Sequence, residues 1–128
     1  RIKRIRWEIE TVYTRLCASD IGIIPIDTRS NDLRSVPSWK VKSENRLTLN
    51  MSMGLPVIAT PIPAYEDIIE HGVNGFFARS DGDWQRCFQE LRDPELRAEI
   101  GRNARSSVLE RFSKALQAER FASVLRTL

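Results

Sequence analysis

Apolar residues in this chain occur in two patterns, as short continuous runs and at positions three or four residues apart. The first pattern is typical of buried strands and the second of amphipathic helices. Apolar runs predict strands at residues 20–26, 56–60 and 74–78, and residues 2–7 suit a further short strand. The wider spacing, with its boundary residues, predicts helices at 9–16, 43–53, 61–71, 84–91, 94–112 and 114–128.

Several of these helices carry boundary signals. Ser43 is a good N-cap for the second helix, because its hydroxyl can accept a hydrogen bond from the first turn. Gly54 is placed to end that helix, since glycine adopts the left-handed conformation without strain. Asp93 followed by Pro94 is a strong start signal, and Ser113 is placed to cap the last helix. Strands and helices therefore alternate, which predicts a single α/β domain over residues 1–128 with a parallel sheet covered on both faces.

Composition narrows the class of protein without changing the fold. The 128 residues are 41% hydrophobic and 29% charged, as in ordinary globular proteins. The net charge of +3 permits a phosphate-bearing ligand but does not suggest a nucleic-acid-coating protein. No apolar run approaches the ~20 residues needed to cross a bilayer. Cys17 and Cys87 fall on apolar helix faces, so we expect both to be small core residues in a cytoplasmic protein without a metal site.

A candidate anion site lies at the start of the second helix. Lys42 and Arg46 stand four residues apart beside Ser43, where the unpaired amides of a helix N-terminus already favour negative charge. Arg46 can bind phosphate oxygens bidentately, Lys42 adds a point charge and Asn45 a neutral donor. A bound diphosphate would make this arrangement favourable. The alternative is that both cations point into water and pair with neighbouring acids such as Glu44.

The long loop at residues 27–41 leads into this helix, and loops of that length are commonly functional. It leaves the carboxyl end of a predicted strand, where open α/β sheets bind their ligands. Trp39 in the loop can stack on a sugar or base, or hold the loop in place. Glu66, in the first turn after the 56–60 strand, faces the same edge and is a candidate for contacts to ligand hydroxyls. His71 is interpreted as a helix-terminal cation.

Three stretches together resemble one family. They are "SDIGIIPID", "KSENRLTLNMSMGLPVIATPIPAYEDIIEHGVNGFFA" and "DPELRAEIGRNARSSVLERFS". The series resembles the carboxyl-terminal domain of retaining glycosyltransferases of family 4 (group 1), which have the two-domain GT-B architecture. The similarity spans roughly residues 7–113, and "MGLPVIAT" and "EHGVNGFFA" are among its most specific parts. The resemblance implies an incomplete, Rossmann-like donor-binding domain.

The resemblance also implies a function. The nucleotide-diphospho-sugar donor would bind this domain, with its diphosphate held by Lys42, Ser43, Asn45 and Arg46. A separate amino-terminal domain outside this chain would bind the acceptor. We therefore expect a sugar transferase that needs no metal or other cofactor, and a fragment that is inactive alone.

The chain departs from the family at two positions. Many members carry two glutamates, separated by seven residues, that contact the sugar and the ribose, and the corresponding positions here are Val41 and Leu49. A second hypothesis follows from this departure. The domain would be a non-catalytic binding or scaffold relative that retains the fold after losing the glutamate pair.

Overall fold

The computed structural model describes residues 2–29 and 36–127. Its sheet consists of three parallel strands in the order β1-β2-β3, namely Gly22–Ile24, Val57–Ala59 and Phe76–Phe77. Gly22 is opposite Val57, and Ile58 is opposite Phe76. The strands predicted at 20–26, 56–60 and 74–78 are therefore confirmed in position, as is their parallel arrangement.

Six α-helices and one short 3₁₀ helix surround the sheet within the described residues. The 3₁₀ helix is Ser38–Val41, and the α-helices α1 to α6 are Ile9–Cys17, Asn45–Ser52, Pro63–Glu66, Asp81–Glu90, Pro94–Phe112 and Lys114–Arg126. The predicted caps of the last two helices are confirmed. Asp93 accepts a hydrogen bond from the backbone of Glu95, and Ser113 accepts one from Leu116.

The core forms on both faces of the sheet because successive β2 side chains point in opposite directions. Val57 and Ala59 pack in one apolar cluster with side chains of α2 and α5, including Leu47, Met51, Ala104 and Val108. Ile58 packs in a second cluster with Phe76 and with residues that include Cys87, Leu91 and Ile100. Full burial of an aliphatic side chain contributes roughly 1.5–3 kcal/mol. The two clusters therefore hold α2 and α4 in place against opposite faces.

A close backbone approach fixes the end of α2 against α5. Gly54 has a φ of 76°, in the left-handed region that favours glycine, and its amide bonds the Met51 carbonyl. A Cβ on Gly101 of α5 would lie only 2.1 Å from the Gly54 carbonyl oxygen. Both glycines are therefore required where the helices meet.

Two strand predictions are wrong in detail. Residues 2–7 form no strand and are exposed, because no neighbouring strand in the described chain pairs with them. The strand at 20–26 was predicted to be covered on both faces, but Ile23 is 54% exposed. Ile24 on the opposite face is buried. At this point β1 is therefore covered on only one of its two faces.

The helix predicted at 61–71 is also shorter than its apolar spacing indicated, since α3 ends at Glu66. Asn74 explains the difference. Its side-chain amide donates to the Ile68 carbonyl at 3.0 Å, and its side-chain oxygen accepts from the Glu70 amide at 2.8 Å. A buried asparagine thus satisfies the backbone groups that a longer helix would have paired internally.

Outer helices leave apolar side chains exposed. α1 has no buried residue, so Cys17 is exposed and the prediction that it packs in the core is wrong. Cys87 on α4 is 3% exposed, as predicted. Phe121 and Val124 on α6 are also exposed. Leu128, the last residue of the predicted 114–128 helix, lies outside the described residues. No helix in the described ranges is long and apolar enough to cross a membrane.

Candidate functional site

A cavity of about 440 Å³ lies at the carboxyl edge of the sheet. Its lining includes Thr28, Thr60 and Arg79, which follow the carboxyl ends of β1, β2 and β3 respectively. The Thr60 hydroxyl accepts a hydrogen bond from the Ile26 amide at 3.0 Å, which ties the ends of two strands together. This is the edge at which open parallel sheets bind their ligands.

A second cavity, of about 230 Å³, lies where α2 begins. It is lined by Lys42, Ser43, Asn45, Arg46 and Tyr65. All four residues predicted to form an anion site are therefore brought together around one concavity. Their role in binding an anion stays a prediction.

The helix start itself differs from the sequence expectation. Ser43 was predicted to be the N-cap, but α2 begins at Asn45 and Glu44 occupies the cap position without a side-chain cap hydrogen bond. The first intrahelical bond runs from the Thr48 amide to the Glu44 carbonyl at 2.9 Å. The amides of Asn45, Arg46 and Leu47 therefore have no partner within the helix. Ser43 instead lines the cavity in front of them.

Within the part of the chain that the structure describes, no acid pairs with the cations at this helix start. Lys42 and Arg46 form no ion pair with an acid among residues 2–29 and 36–127. The Asn50 side-chain amide donates a hydrogen bond to the Arg46 carbonyl at 2.8 Å, which fixes the backbone at that point. Pairing of the two cations with Glu44, the alternative reading of the sequence, is thus absent from the described structure.

Tyr65 is a component of this cavity that the sequence did not reveal. It lies on α3 and is only 2% exposed, yet it lines the same cavity as Arg46. Burial raises the pKa of Tyr65, and the positive charge of Arg46 partly offsets this rise. The phenol is therefore neutral and within electrostatic reach of the guanidinium. In the sequence Tyr65 reads as a core residue, since it follows the apolar spacing of its neighbours.

The helix α3 separates the two cavities. Tyr65 lines the smaller cavity, while its neighbour Glu66 is exposed and lines the larger one. The predicted position of Glu66 at the ligand edge is thus compatible with the fold, although its helix is only four residues long. Two adjacent residues consequently line different cavities.

Trp39 also lines the larger cavity, together with Glu66 and Thr60. It belongs to the 3₁₀ helix and packs against the core cluster of α2 and α5. Its indole nitrogen is buried and has no hydrogen-bond partner within the described residues. The packing of Trp39 against the core supports its role in anchoring the loop, and ligand stacking stays a prediction. Residues 30–35 of that loop lie outside the described residues.

The positions of the family's glutamate pair hold no carboxylate. Val41 is 72% exposed at the end of the 3₁₀ helix, and Leu49 is half-buried on α2. Neither side chain can accept a hydrogen bond from a hydroxyl group.

A third cavity, of about 320 Å³, lies beside β3 and α4 and shares Arg79 with the large one. It contains His71, whose Nδ1 accepts a hydrogen bond from the Phe77 amide at 3.0 Å. The ring packs edge-on against Phe76 with centroids 5.4 Å apart. His71 does not end a helix as predicted, and its accepting nitrogen gives it a structural role. No cluster of potential metal ligands occurs among the described residues.

Comparison with known proteins agrees with this architecture. The profile of the family described as Glycosyl transferases group 1 matches residues 4–93, which is more than half of the chain. The chain belongs to this group 1 glycosyltransferase family. A curated relative, N-acetyl-alpha-D-glucosaminyl L-malate synthase from Bacillus anthracis, is 31% identical over 81 residues, which are 61% of this chain. The resemblance inferred from the sequence is confirmed.

Solved structures show the same fold. Anabaena HepE in complex with UDP and glucose matches with a TM-score of 0.69 at 20% identity, over 89% of this chain. HepE in complex with UDP-glucose matches with a TM-score of 0.60 at 22% identity. The chain spans 20% of the curated relative and 29% of HepE. It therefore has an incomplete Rossmann-like fold of the GT-B type.

Proposed function

We propose that this chain is the donor-binding part of a glycosyltransferase that transfers a sugar from a nucleotide-diphospho-sugar to an acceptor. The observation that carries the proposal is the 230 Å³ cavity at the start of α2, whose lining includes Lys42, Ser43, Asn45 and Arg46. Family membership supports the reaction class. The complexes of HepE with UDP and with UDP-glucose support a uridine nucleotide as the first donor to test.

The cations act on the leaving group. During transfer, the bond between the anomeric carbon and the diphosphate oxygen breaks, and its electron pair passes to the nucleoside diphosphate. Preorganised donors that face this developing charge stabilise the transition state. Lys42 and Arg46 supply two positive charges, and the amides of α2 add their partial charges. In this proposal the protein itself neutralises the diphosphate, and no metal is required.

The larger cavity accommodates the hydroxyl-bearing part of the donor. Glu66 accepts hydrogen bonds from sugar hydroxyls, because an ionised carboxylate is an acceptor at both oxygens. It lies next to Tyr65 in sequence, so the two cavities on either side of α3 can be filled by adjoining parts of one ligand. Glu66 thereby provides a carboxylate at the ligand edge, where Val41 and Leu49 provide none.

The acceptor belongs to another part of the protein. We propose that residues 1–128 form one domain and that an amino-terminal domain of the same protein binds the acceptor, with transfer in the cleft between them. The isolated chain would then bind donor weakly and transfer nothing.

Substitution of Arg46 tests the diphosphate assignment. In the full-length protein we expect Arg46→Ala to weaken UDP binding roughly ten- to a hundredfold, because a charge-assisted hydrogen bond contributes roughly 1.5–3 kcal/mol. Uridine affinity should not change, since uridine lacks the diphosphate. Arg102→Ala is the matched control, because Arg102 is an exposed arginine on α5 that lines none of the three cavities. Isothermal titration calorimetry measures all of these affinities.

Unchanged UDP affinity in Arg46→Ala would show that the phosphate assignment is wrong. A second assay, with UDP-glucose in place of UDP, isolates Glu66. Glu66→Gln should weaken UDP-glucose binding and leave UDP binding unchanged, if Glu66 contacts the sugar. An equal loss for both ligands would contradict that role.

The non-catalytic alternative rests on Val41 and Leu49, which replace the glutamate pair. Hydrolysis of the sugar nucleotide distinguishes the two functions, because a transferase usually loses some donor to water. Slow release of UDP from UDP-glucose by the full-length protein, abolished by Arg46→Ala, is expected for the enzyme. Donor binding without any such release is expected for a binding domain.

A further inference from the structure

Within residues 2–29 and 36–127, the indole N–H of Trp39 is the single buried side-chain group that has no hydrogen-bond partner. Most buried polar side-chain atoms in folded proteins are hydrogen-bonded, so an unpaired one calls for an explanation. Burial of the unpaired group is unfavourable, and no other described side chain has this cost. An indole N–H can only donate, so the group that would satisfy it is an acceptor.

The tryptophan that carries this group lies at the larger cavity. Trp39 is part of the lining of the 440 Å³ space at the carboxyl edge of the sheet. The residue as a whole is only half-buried, and the Lys40 ammonium lies 5.3 Å from its ring centroid. The ring is therefore not enclosed on all sides, although its nitrogen is closed off in the ligand-free chain. A turn of the indole is needed before the N–H can meet a ligand.

The walls of this cavity suit a sugar. Pro61 and Pro63 lie beside Trp39 in the lining and are apolar, whereas Glu66 brings a carboxylate. An ionised carboxylate only accepts hydrogen bonds, and an indole N–H only donates them. A hydroxyl group does both, so sugar hydroxyls can donate to Glu66 and accept from Trp39. The C–H groups of the same sugar can pack against the apolar part of the lining.

We propose that the Trp39 indole N–H donates a hydrogen bond to a hydroxyl oxygen of the donor sugar, and that the indole turns towards the larger cavity to make this bond. The inference rests on the proposed function, since it assigns a further binding residue to the sugar part of the same donor. A group that is bonded to water gains little when it exchanges water for a ligand. The Trp39 N–H has no such bond to lose, so the ligand satisfies a group that the described fold leaves unpaired.

Nuclear magnetic resonance of the indole N–H groups tests this bond in the full-length protein. With isotope-labelled tryptophan each indole gives its own resonance, and Trp39→Phe identifies the resonance of Trp39. UDP-glucose should move the Trp39 indole proton to a higher chemical shift, since an N–H that gains an oxygen acceptor is deshielded. UDP should leave it in place, because UDP lacks the sugar. Trp7 and Trp84 are internal controls, since neither lines the larger cavity.

Affinity of the variant gives a second readout. Phenylalanine keeps an aromatic ring but has no N–H, so Trp39→Phe should weaken UDP-glucose binding roughly three- to tenfold, the usual effect of one neutral hydrogen bond. UDP affinity should not change. Trp84→Phe is the matched control, because Trp84 is also half-buried but packs against the other core cluster. Isothermal titration calorimetry should show the same UDP-glucose affinity for Trp84→Phe as for the wild type.

The outcomes separate this inference from the proposed function. If UDP-glucose binds but moves the Trp39 indole resonance no more than UDP does, the N–H stays closed off and the inference fails while the donor site stands. The inference also fails if Trp39→Phe weakens UDP and UDP-glucose binding equally, because Trp39 then only anchors the loop. If the wild type binds neither UDP nor UDP-glucose, the proposed function fails and this inference fails with it.

Discussion

Replacement of Gly101 by alanine should destabilise the domain strongly, because the added methyl group would enter the backbone of the turn after α2. Its Cβ would lie 2.1 Å from the Gly54 carbonyl oxygen and 3.1 Å from the Gly54 carbonyl carbon. Non-bonded heavy atoms are at their optimal separation at roughly 3.5–4.0 Å, so the two segments must separate by about 1 Å or more. Gly54 cannot move alone, since its amide bonds Met51 and its φ is 76°.

The cost of this overpacking is at the upper end of the usual range, about 3 kcal/mol. For a domain of this size, such a loss lowers the unfolding midpoint by roughly 10 °C. Differential scanning calorimetry of the full-length protein measures the shift of the transition that contains this domain. UDP affinity should fall as well, because α2 carries the anion cavity at its other end.

Gly82→Ala is the matched control. Its Cβ would meet nothing closer than the Ser80 hydroxyl oxygen at 3.8 Å, so its stability should be unchanged or gain about 0.4–1 kcal/mol. If Gly101→Ala unfolds at the same temperature as Gly82→Ala, the close contact between α5 and the end of α2 is wrong. The account of how α2 is fixed would then fail with it.

Two further predictions concern charge and reactivity. Backbone hydrogen bonds from Ser80, foremost among several causes, lower the pKa of Asp83 from 3.8 to about 2. The stabilisation of the folded state by ionised Asp83 is thus complete above pH 3.8 and is lost as the pH falls towards 2. Asp83→Asn should therefore be less stable than the wild type at pH 7, and a urea-midpoint difference that persists undiminished at pH 2 would contradict this. Cys17 should react with iodoacetamide far faster than Cys87, because Cys17 is exposed whereas burial, above all, raises the pKa of Cys87. Peptide mass spectrometry measures both thiols, and equal labelling would show that the two burial assignments are wrong.

Local patterns in the sequence predicted the three strands correctly. They failed for residues 2–7 and for the exposed face of β1. The runs around Ile24, Ile58 and Phe76 are apolar because each strand buries side chains in the core, so periodicity located them correctly. The apolar residues of 2–7 have no partner strand in the described chain, and strand formation depends on a partner rather than on propensity. Ile23 is exposed for a related reason, since its cover depends on a distant element and not on its own neighbours.

The sequence likewise predicted some residues of the candidate site and missed another. Lys42, Ser43, Asn45 and Arg46 are close in sequence, so their spacing was enough to place them together. Tyr65 lies far from them in sequence and joins them only through the tertiary fold, which no local spacing encodes.

Local signals in the sequence also mispredicted two helix ends. Ser43 has the composition of an N-cap, yet Glu44 takes that position. The helix after β2 stops early because Asn74, eight residues beyond Glu66, satisfies its backbone groups. The hydrogen bonds of the Asn74 side chain thus overrode the apolar spacing that predicted a longer helix.

The most direct test of the anion site is a crystal structure of the full-length protein with UDP bound. The account predicts density for the diphosphate in the 230 Å³ cavity, within hydrogen-bond distance of the Arg46 guanidinium and at least one backbone amide at the start of α2. A diphosphate bound elsewhere, with this cavity filled only by water, would contradict the assignment of the donor site.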